Sequence, residues 1–362
     1  MTGVLTRGEE NFEKWKLVVG LPKHFPELTL FPDEDLEDKT FLGPRTDKIE
    51  DIDLTIGVPL SYVIVEKGHG ASTLCRYVFR RVEDDSLKRK VIPVRIDLDE
   101  YWKNLDMKLD LVGIIKKGII YHLASEPWEK ALFPPEYYNI INAYDKKDLF
   151  KHKAEIWGQV AEQRVDWNKV HQLCPFFAER IDRILVTLLE KFSLKAVLFF
   201  DIPFDAEVPK GESRDQYVKT LIGYVKDLYE MNRIPEGGLS EIYFLTRDDL
   251  ELVNAVWSRK GNQVEYGAWA YNEIFAILSR HYVPMRTFGG RFYGKHTTNL
   301  LGIVLSDKFV ELVWDRNKTL RQIVDDMKTL IMERLDVDWK DAPYRLEPSV
   351  AQMRRWEESR KK

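Results

Sequence analysis

Residues 63–74 read Val63-Ile64-Val65-Glu66-Lys67-Gly68-His69-Gly70-Ala71-Ser72-Thr73-Leu74, and three kinds of backbone follow one another in these twelve positions. With Leu60-Ser61-Tyr62 ahead of it, the apolar, β-branched run predicts a buried strand over residues 60–65. Two glycines then predict a tight loop. From Ser72 to Arg81, Leu74, Tyr77 and Val78 recur at helical spacing and basic residues gather toward the end, which predicts a helix. A phosphate-binding turn needs this order. Glycines let successive N–H groups point inward, the helix start adds its positive end, and a hydroxyl can hold magnesium. The candidate binding residues are Lys67, Gly68, His69, Gly70, Ala71, Ser72 and Thr73, with Ser72 as a metal ligand.

Working outward, strands alternate with helices. Strands are expected at residues 91–98, 196–201 and 241–246, although Pro93 argues for an edge position or a bulge in the first of these. Helices are expected at 109–123, 178–192, 217–229, 250–257 and 272–280, then at about 320–335. Such alternation predicts an α/β fold with a mainly parallel sheet covered on both faces. Residues 1–45 carry Pro22, Pro26, Pro32 and Pro44 and read as an N-terminal arm with at most short helices. The core is expected over 46–310 with a helical insertion at about 100–175, and a helical lid and charged tail over 311–362.

The window resembles the Walker A loop of P-loop NTPases, and among them AAA+ and STAND ATPases, through Gly68, Gly70, Ser72, Thr73 and Leu74. Asp201, ending an apolar strand, resembles the Walker B aspartate that orients magnesium. Thr246, ending the next, resembles the sensor position that reads the γ-phosphate. The stretch Phe309-Val310-Glu311-Leu312 and the helix after it resemble the start of the helical lid. Val94-Arg95-Ile96-Asp97-Leu98 is similar to the second strand of archaeal STAND-type ATPases, and Arg45 stands where these families often place an arginine. The resemblance covers roughly residues 45–335 by order of elements. It implies a P-loop NTPase sheet, Asp201 and Thr246 as catalytic candidates, and Ser72 and Asp201 as magnesium ligands. ATP or ADP with magnesium is the implied cofactor, or none if the site is vestigial.

The pattern also departs from that family. Val65 replaces the first glycine, Ala71 replaces the β/γ-phosphate lysine, and Ile202, followed by Pro203, replaces the water-activating glutamate. Phosphoryl transfer needs charge neutralised toward the β–γ bridge. Each lost contribution of this kind commonly costs about two orders of magnitude in rate. Efficient hydrolysis by this chain alone is therefore not expected, while backbone-based binding is. The expected role is a degenerate subunit of a DNA-transaction or other assembly, with protein partners or further copies of itself. An active ATPase using Lys67 and Asp205 is a lesser alternative.

A second constellation lies at residues 274–306, which contain no acidic residue. Arg280, Arg286, Arg291 and Lys295 interleave there with Tyr282, Phe288, Phe292 and Tyr293, and Gly289-Gly290 predicts a hairpin turn near the middle. Basic and aromatic side chains together suit a nucleic-acid strand, so a nucleic-acid-binding or scaffold protein is the alternative function. The bland reading is a hairpin whose aromatics pack and whose arginines pair with carboxylates.

Composition limits the rest. In 362 residues, 44% are hydrophobic and 31% charged, a globular balance, and the net charge of −4 excludes coating of nucleic acid by bulk charge. Two cysteines, Cys75 and Cys174, exclude a disulfide-stapled domain. No signal peptide is visible, and apolar runs fall far short of the ~18 residues of a membrane helix, so a cytoplasmic protein without a membrane partner is expected. The seven histidines show no paired spacing for zinc, and neither a serine-nucleophile elbow nor a dinucleotide fingerprint occurs.

Overall fold

A computed structural model describes residues 6–19, 46–97, 111–123, 180–202, 213–279, 282–286, 292–299, 305–338 and 346–359. In chain order these form α1 (Arg7–Val19), α2 (Thr46–Asp53), β1 (Leu60–Val65), α3 (Ala71–Asp84), α4 (Ser86–Arg89), β2 (Val91–Asp97) and α5 (Leu111–Leu123). Then come α6 (Ile181–Phe192), β3 (Lys195–Asp201), α7 (Arg214–Met231), β4 (Leu239–Leu245), α8 (Arg247–Val256), β5 (Asn262–Tyr266) and α9 (Tyr271–Ser279). The chain closes with β6 (Tyr282–Arg286), β7 (Phe292–Asn299), α10 (Lys308–Val313), α11 (Leu320–Asp338) and α12 (Val350–Ser359). Two compact units result. One takes residues 49–65 and 71–266; the other takes 1–48, 66–70 and 267–362.

The first unit is a five-stranded, all-parallel sheet in the order β2-β3-β4-β1-β5, flanked by helices. The expected α/β class is thus present. β1, β3 and β4 are buried along nearly their whole length because both faces are covered, hence their continuous apolar sequences. Side chains alternate between faces. Ala196, Leu198 and Phe200 of β3, with Tyr62, Tyr243 and Leu245, join one core with α5, α6, α7 and α8. Phe200 stacks on Tyr243 there, with ring centroids 4.4 Å apart. On the opposite face Phe199 meets Phe244, and Phe79 of α3 meets Phe199 edge-on at 5.6 Å. Leu74, Cys75, Val78 and Val82 are the buried stripe of α3.

Chain direction explains the division. From β1 the chain crosses to the far edge at β2, then steps back through β3 and β4 and passes beyond β1 to β5. Right-handed crossovers running in opposite directions place their helices on opposite faces. Pro93 does lie in an edge strand among the described residues, as its missing N–H requires. Gly118 of α5 lies close against β2, where a Cβ would come within 2.7 Å of the Val94 side chain. The sequence reading assigned no strand to β5. Its residues Asn262, Gln263 and Glu265 are exposed, so no apolar run marks it.

The second unit is helical, with an antiparallel pair β6–β7. α1 lies within the segment read as an arm, and at thirteen residues it packs on α11. Phe12 and Trp15 are buried, and Asn11 Nδ2 donates to the Leu335 carbonyl at 3.1 Å. The helix expected over 320–335 is present as α11, and the end read as a charged tail contains α12, where Gln352 Nε2 donates to the Leu330 carbonyl at 2.8 Å. Apart from α5, the predicted insertion lies outside the described residues.

Candidate functional site

Asp201 ends β3 on the face that α3 covers, two positions beyond Phe199, and is only 2% exposed. Ser72 is the second residue of α3 and donates its hydroxyl to Asp201 Oδ1 at 2.8 Å. Sequence positions 129 apart, both expected at magnesium, are therefore joined by the fold. The first turn of α3 holds no acidic residue, so that turn adds no anion of its own to the positive end of the helix. Ala71 and Thr73, also predicted for binding, flank Ser72 and are half-buried. The pair stands at the carboxyl end of the sheet, on β3 and on the helix after β1, on either side of β4; the crossover direction reverses between β4 and β1. Ligands of open α/β sheets bind at such switch points.

Thr246 is placed by a different logic. It is the N-cap of α8, just beyond β4. Its hydroxyl donates to Asp249 Oδ2 at 2.7 Å and accepts from the Asp249 N–H at 3.2 Å, while its own N–H donates to Asp249 Oδ2 at 3.1 Å. This is a reciprocal capping box. Asp249 is fully buried, and Arg214, at the start of α7, grips its two oxygens with two guanidinium nitrogens, one at 2.9 Å. Arg214 and Asp249 were missed in the sequence reading. The Thr-x-x-Asp spacing at 246–249 was the available signal for the cap; nothing in the sequence marks Arg214 as its partner.

Ile202, where the water-activating carboxylate would stand, is buried, and its N–H donates to the Phe244 carbonyl at 3.1 Å. Pro203 and Asp205 lie outside the described residues.

Glu66–Gly70 belongs to the second unit. Gly68 and Gly70 adopt φ of +76° and +86°, the left-handed region that glycine enters without strain. Gly68 also lies against Thr319, whose Cγ2 would be 2.5 Å from an added Cβ. Thr319 caps α11, its hydroxyl accepting from the Gln322 N–H at 3.1 Å. His69 is buried. Its Nδ1 accepts from the Trp269 N–H at 3.3 Å, and its carbonyl accepts from the Trp269 indole at 3.2 Å. His69 thus has a packing role that its place in the motif did not suggest. Lys67 is exposed.

The predicted hairpin is present as β6–β7, with Arg286 paired in register with Phe292 and Lys295 within β7. Arg280 and Arg291 lie outside the described residues. Among the described residues no group of three or more His, Cys, Asp or Glu could hold a metal ion, and no helix is long and apolar enough to cross a membrane.

Neither a protein-family model nor a curated protein matches the chain.

Proposed function

We propose that this chain is a P-loop-like, AAA+/STAND-like protein that binds a magnesium nucleotide, ATP or ADP, without hydrolysing it efficiently, as a subunit of a larger assembly such as one acting on DNA. One observation carries the reading: the Ser72 hydroxyl bonded to Asp201 beside the switch point of the parallel sheet. A loop serine and a strand-end aspartate are the protein oxygens with which P-loop proteins hold magnesium. Magnesium keeps several waters and takes only one or two protein ligands besides phosphate, so this small donor set fits it. Bound there, the ion would neutralise phosphate charge. N–H groups at the start of α3 would face the phosphates, and Ala71 supplies no cation. The weak-turnover part of the proposal rests on Ala71 and Ile202 together.

Calorimetry with MgADP and MgATP, with and without chelator, tests it. Binding is expected only with magnesium, weakened about tenfold or more by Ser72→Ala and by Asp201→Asn. No binding by the wild type, or affinity indifferent to both substitutions, would overturn the reading. Turnover should stay at background, and Ala71→Lys should tighten binding.

A second reading, nucleic-acid binding through the basic hairpin, is favoured by the pairing of Arg286 with Phe292 across β6–β7. Salt-dependent DNA binding lost in Arg286→Ala/Arg291→Ala supports it; binding that ignores both changes counts against it.

A further inference from the structure

Resting on the proposed nucleotide reading, we infer that Trp269 is a positioning residue for the phosphate loop: its indole fixes the peptide between His69 and Gly70, and so aims the Gly70 N–H at an inner phosphate of the nucleotide. Residues 66–70 and Trp269 belong to the same compact unit. The loop opens as a β-turn in which the His69 N–H donates to the Glu66 carbonyl at 3.0 Å, with Gly68 at φ +76° in its third position. That turn fixes the peptide ahead of His69. The peptide behind it is held from outside the loop: its oxygen, the His69 carbonyl, accepts the Trp269 indole N–H at 3.2 Å. In a trans peptide the C=O and N–H point in opposite directions, so the Gly70 N–H is turned away from Trp269. Gly70, at φ +86°, follows that plane without strain and leads the chain into Ala71, the first residue of α3. Backbone N–H groups set in this way before a helix are what a phosphate meets in such loops.

Trp269 is itself firmly placed. It is 2% exposed, and its own N–H donates to His69 Nδ1 at 3.3 Å, so indole and backbone grip one loop residue at two points. The residue after it opens α9. The Ala270 N–H donates to Glu273 Oε2 at 2.7 Å, and its carbonyl accepts from the N–H groups of Glu273 at 3.1 Å and Ile274 at 3.0 Å. A donor mounted on a capped helix start is thus set against a loop to which two glycines give dihedral freedom. With the indole bond removed, the His69–Gly70 peptide has more orientations open to it, and the nucleotide must supply the cost of ordering it.

The test is calorimetry on the full chain with MgADP, joined to NMR of the tryptophan indole N–H groups, the Trp269 resonance being assigned through its backbone neighbours. Trp269→Phe keeps an aromatic ring in the buried place and removes the indole donor. In a variant with wild-type circular dichroism, MgADP affinity is expected to fall about five- to tenfold, the worth of one hydrogen bond. Affinity within about twofold of wild type overturns the inference. In the wild type, saturating MgADP is expected to shift the Trp269 indole resonance, which a tryptophan that only packs would not show, and Ser72→Ala should raise the midpoint of that shift about tenfold. A resonance unmoved while calorimetry shows binding overturns the inference and leaves the nucleotide reading intact. Absence of binding by the wild type, or a midpoint indifferent to Ser72→Ala, overturns the nucleotide reading and this inference with it, so the two failures look different. Should Trp269→Phe not fold, the wild-type titration alone still decides.

Discussion

At the amino end of the parallel sheet, Glu241 of β4 is fully buried, and Arg259 grips its two oxygens with two nitrogens at 2.7 Å each. The Tyr243 hydroxyl donates to the same carboxylate at 2.6 Å, and the Trp257 ring lies 3.7 Å from the Arg259 guanidinium. At the carboxyl end Asp201, almost as deeply buried, receives a serine hydroxyl at 2.8 Å. An arginine fork returns a full opposite charge to a buried carboxylate; a hydroxyl returns a hydrogen bond and no charge. The first arrangement is a finished structural pair. Under the proposed nucleotide reading, the second is where a magnesium ion would sit. Asp249 shows that the carboxyl end also uses the first arrangement, where its task is to hold a helix cap rather than a ligand.

The sharpest way to break this contrast is to cut the fork. Burial works against the charge of Arg259, but its bonds to Glu241 more than offset this and hold the guanidinium above its ordinary pKa. Burial, and then the charge of Glu241, push the Tyr243 hydroxyl well up, so it stays a neutral donor. Arg259→Ala leaves Glu241 buried without its fork and should cost about 3–5 kcal/mol in urea unfolding. A loss below about 1 kcal/mol would mean that the pair is not what stabilises this end.

A buried group at the sheet edge gives the next effect. His122 of α5 hydrogen-bonds the Pro93 backbone on β2, and burial lowers its pKa to about 4. Glu83 lies 3.9 Å away and is one-third exposed, too distant and too solvated to offset that burial. The unfolded chain titrates near 6.5, so the folded protein binds fewer protons as pH falls. Stability should therefore be intact above about pH 6.5 and decline from there toward pH 4, by about 3 kcal/mol in all. His122→Gln should flatten this segment of the pH–stability curve. A slope unchanged by the substitution would assign the acid loss to other groups.

Smaller again is the cap at the carboxyl end. Thr246→Ala removes the hydroxyl from the capping box and should cost about 1–2 kcal/mol. If Thr246 acts only as a cap, nucleotide affinity of the folded variant stays within about twofold of wild type. A larger loss of triphosphate affinity would restore the sensing role that its position suggests.

These residues show what the sequence made legible. The apolar runs of β1, β3 and β4 announce themselves because parallel strands covered on both faces have no polar side. Ser72 and Asp201 could be singled out for a similar reason: Asp201 ends an apolar strand and Ser72 lies in the first turn of the helix after one. β5 was not found, since only Tyr266 of its five residues is buried and polar edge strands carry little pattern. The buried long-range charge pairs were illegible. Nothing near Asp249 or Glu241 in the chain says that Arg214 or Arg259 folds back on it, and nothing in the loop says that His69 meets Trp269, 200 residues on. Such pairs follow from strand order, which residue patterns do not encode.

The smallest expected effect on stability tests the contrast most directly. Asp201→Asn keeps an acceptor for the Ser72 hydroxyl and removes a charge from a site 2% exposed. If the charge is there for a cation supplied by a ligand, its loss should shift the unfolding free energy by less than about 1 kcal/mol, in either direction. Magnesium-dependent nucleotide binding should fall in the same variant by about tenfold or more. Glu241→Gln is the matched change at the amino end, and it should cost several times as much because it leaves the Arg259 charge buried against a neutral amide. Equal costs at the two ends would show that Asp201, like Glu241, is a structural carboxylate, and would remove the physical ground for placing magnesium beside it.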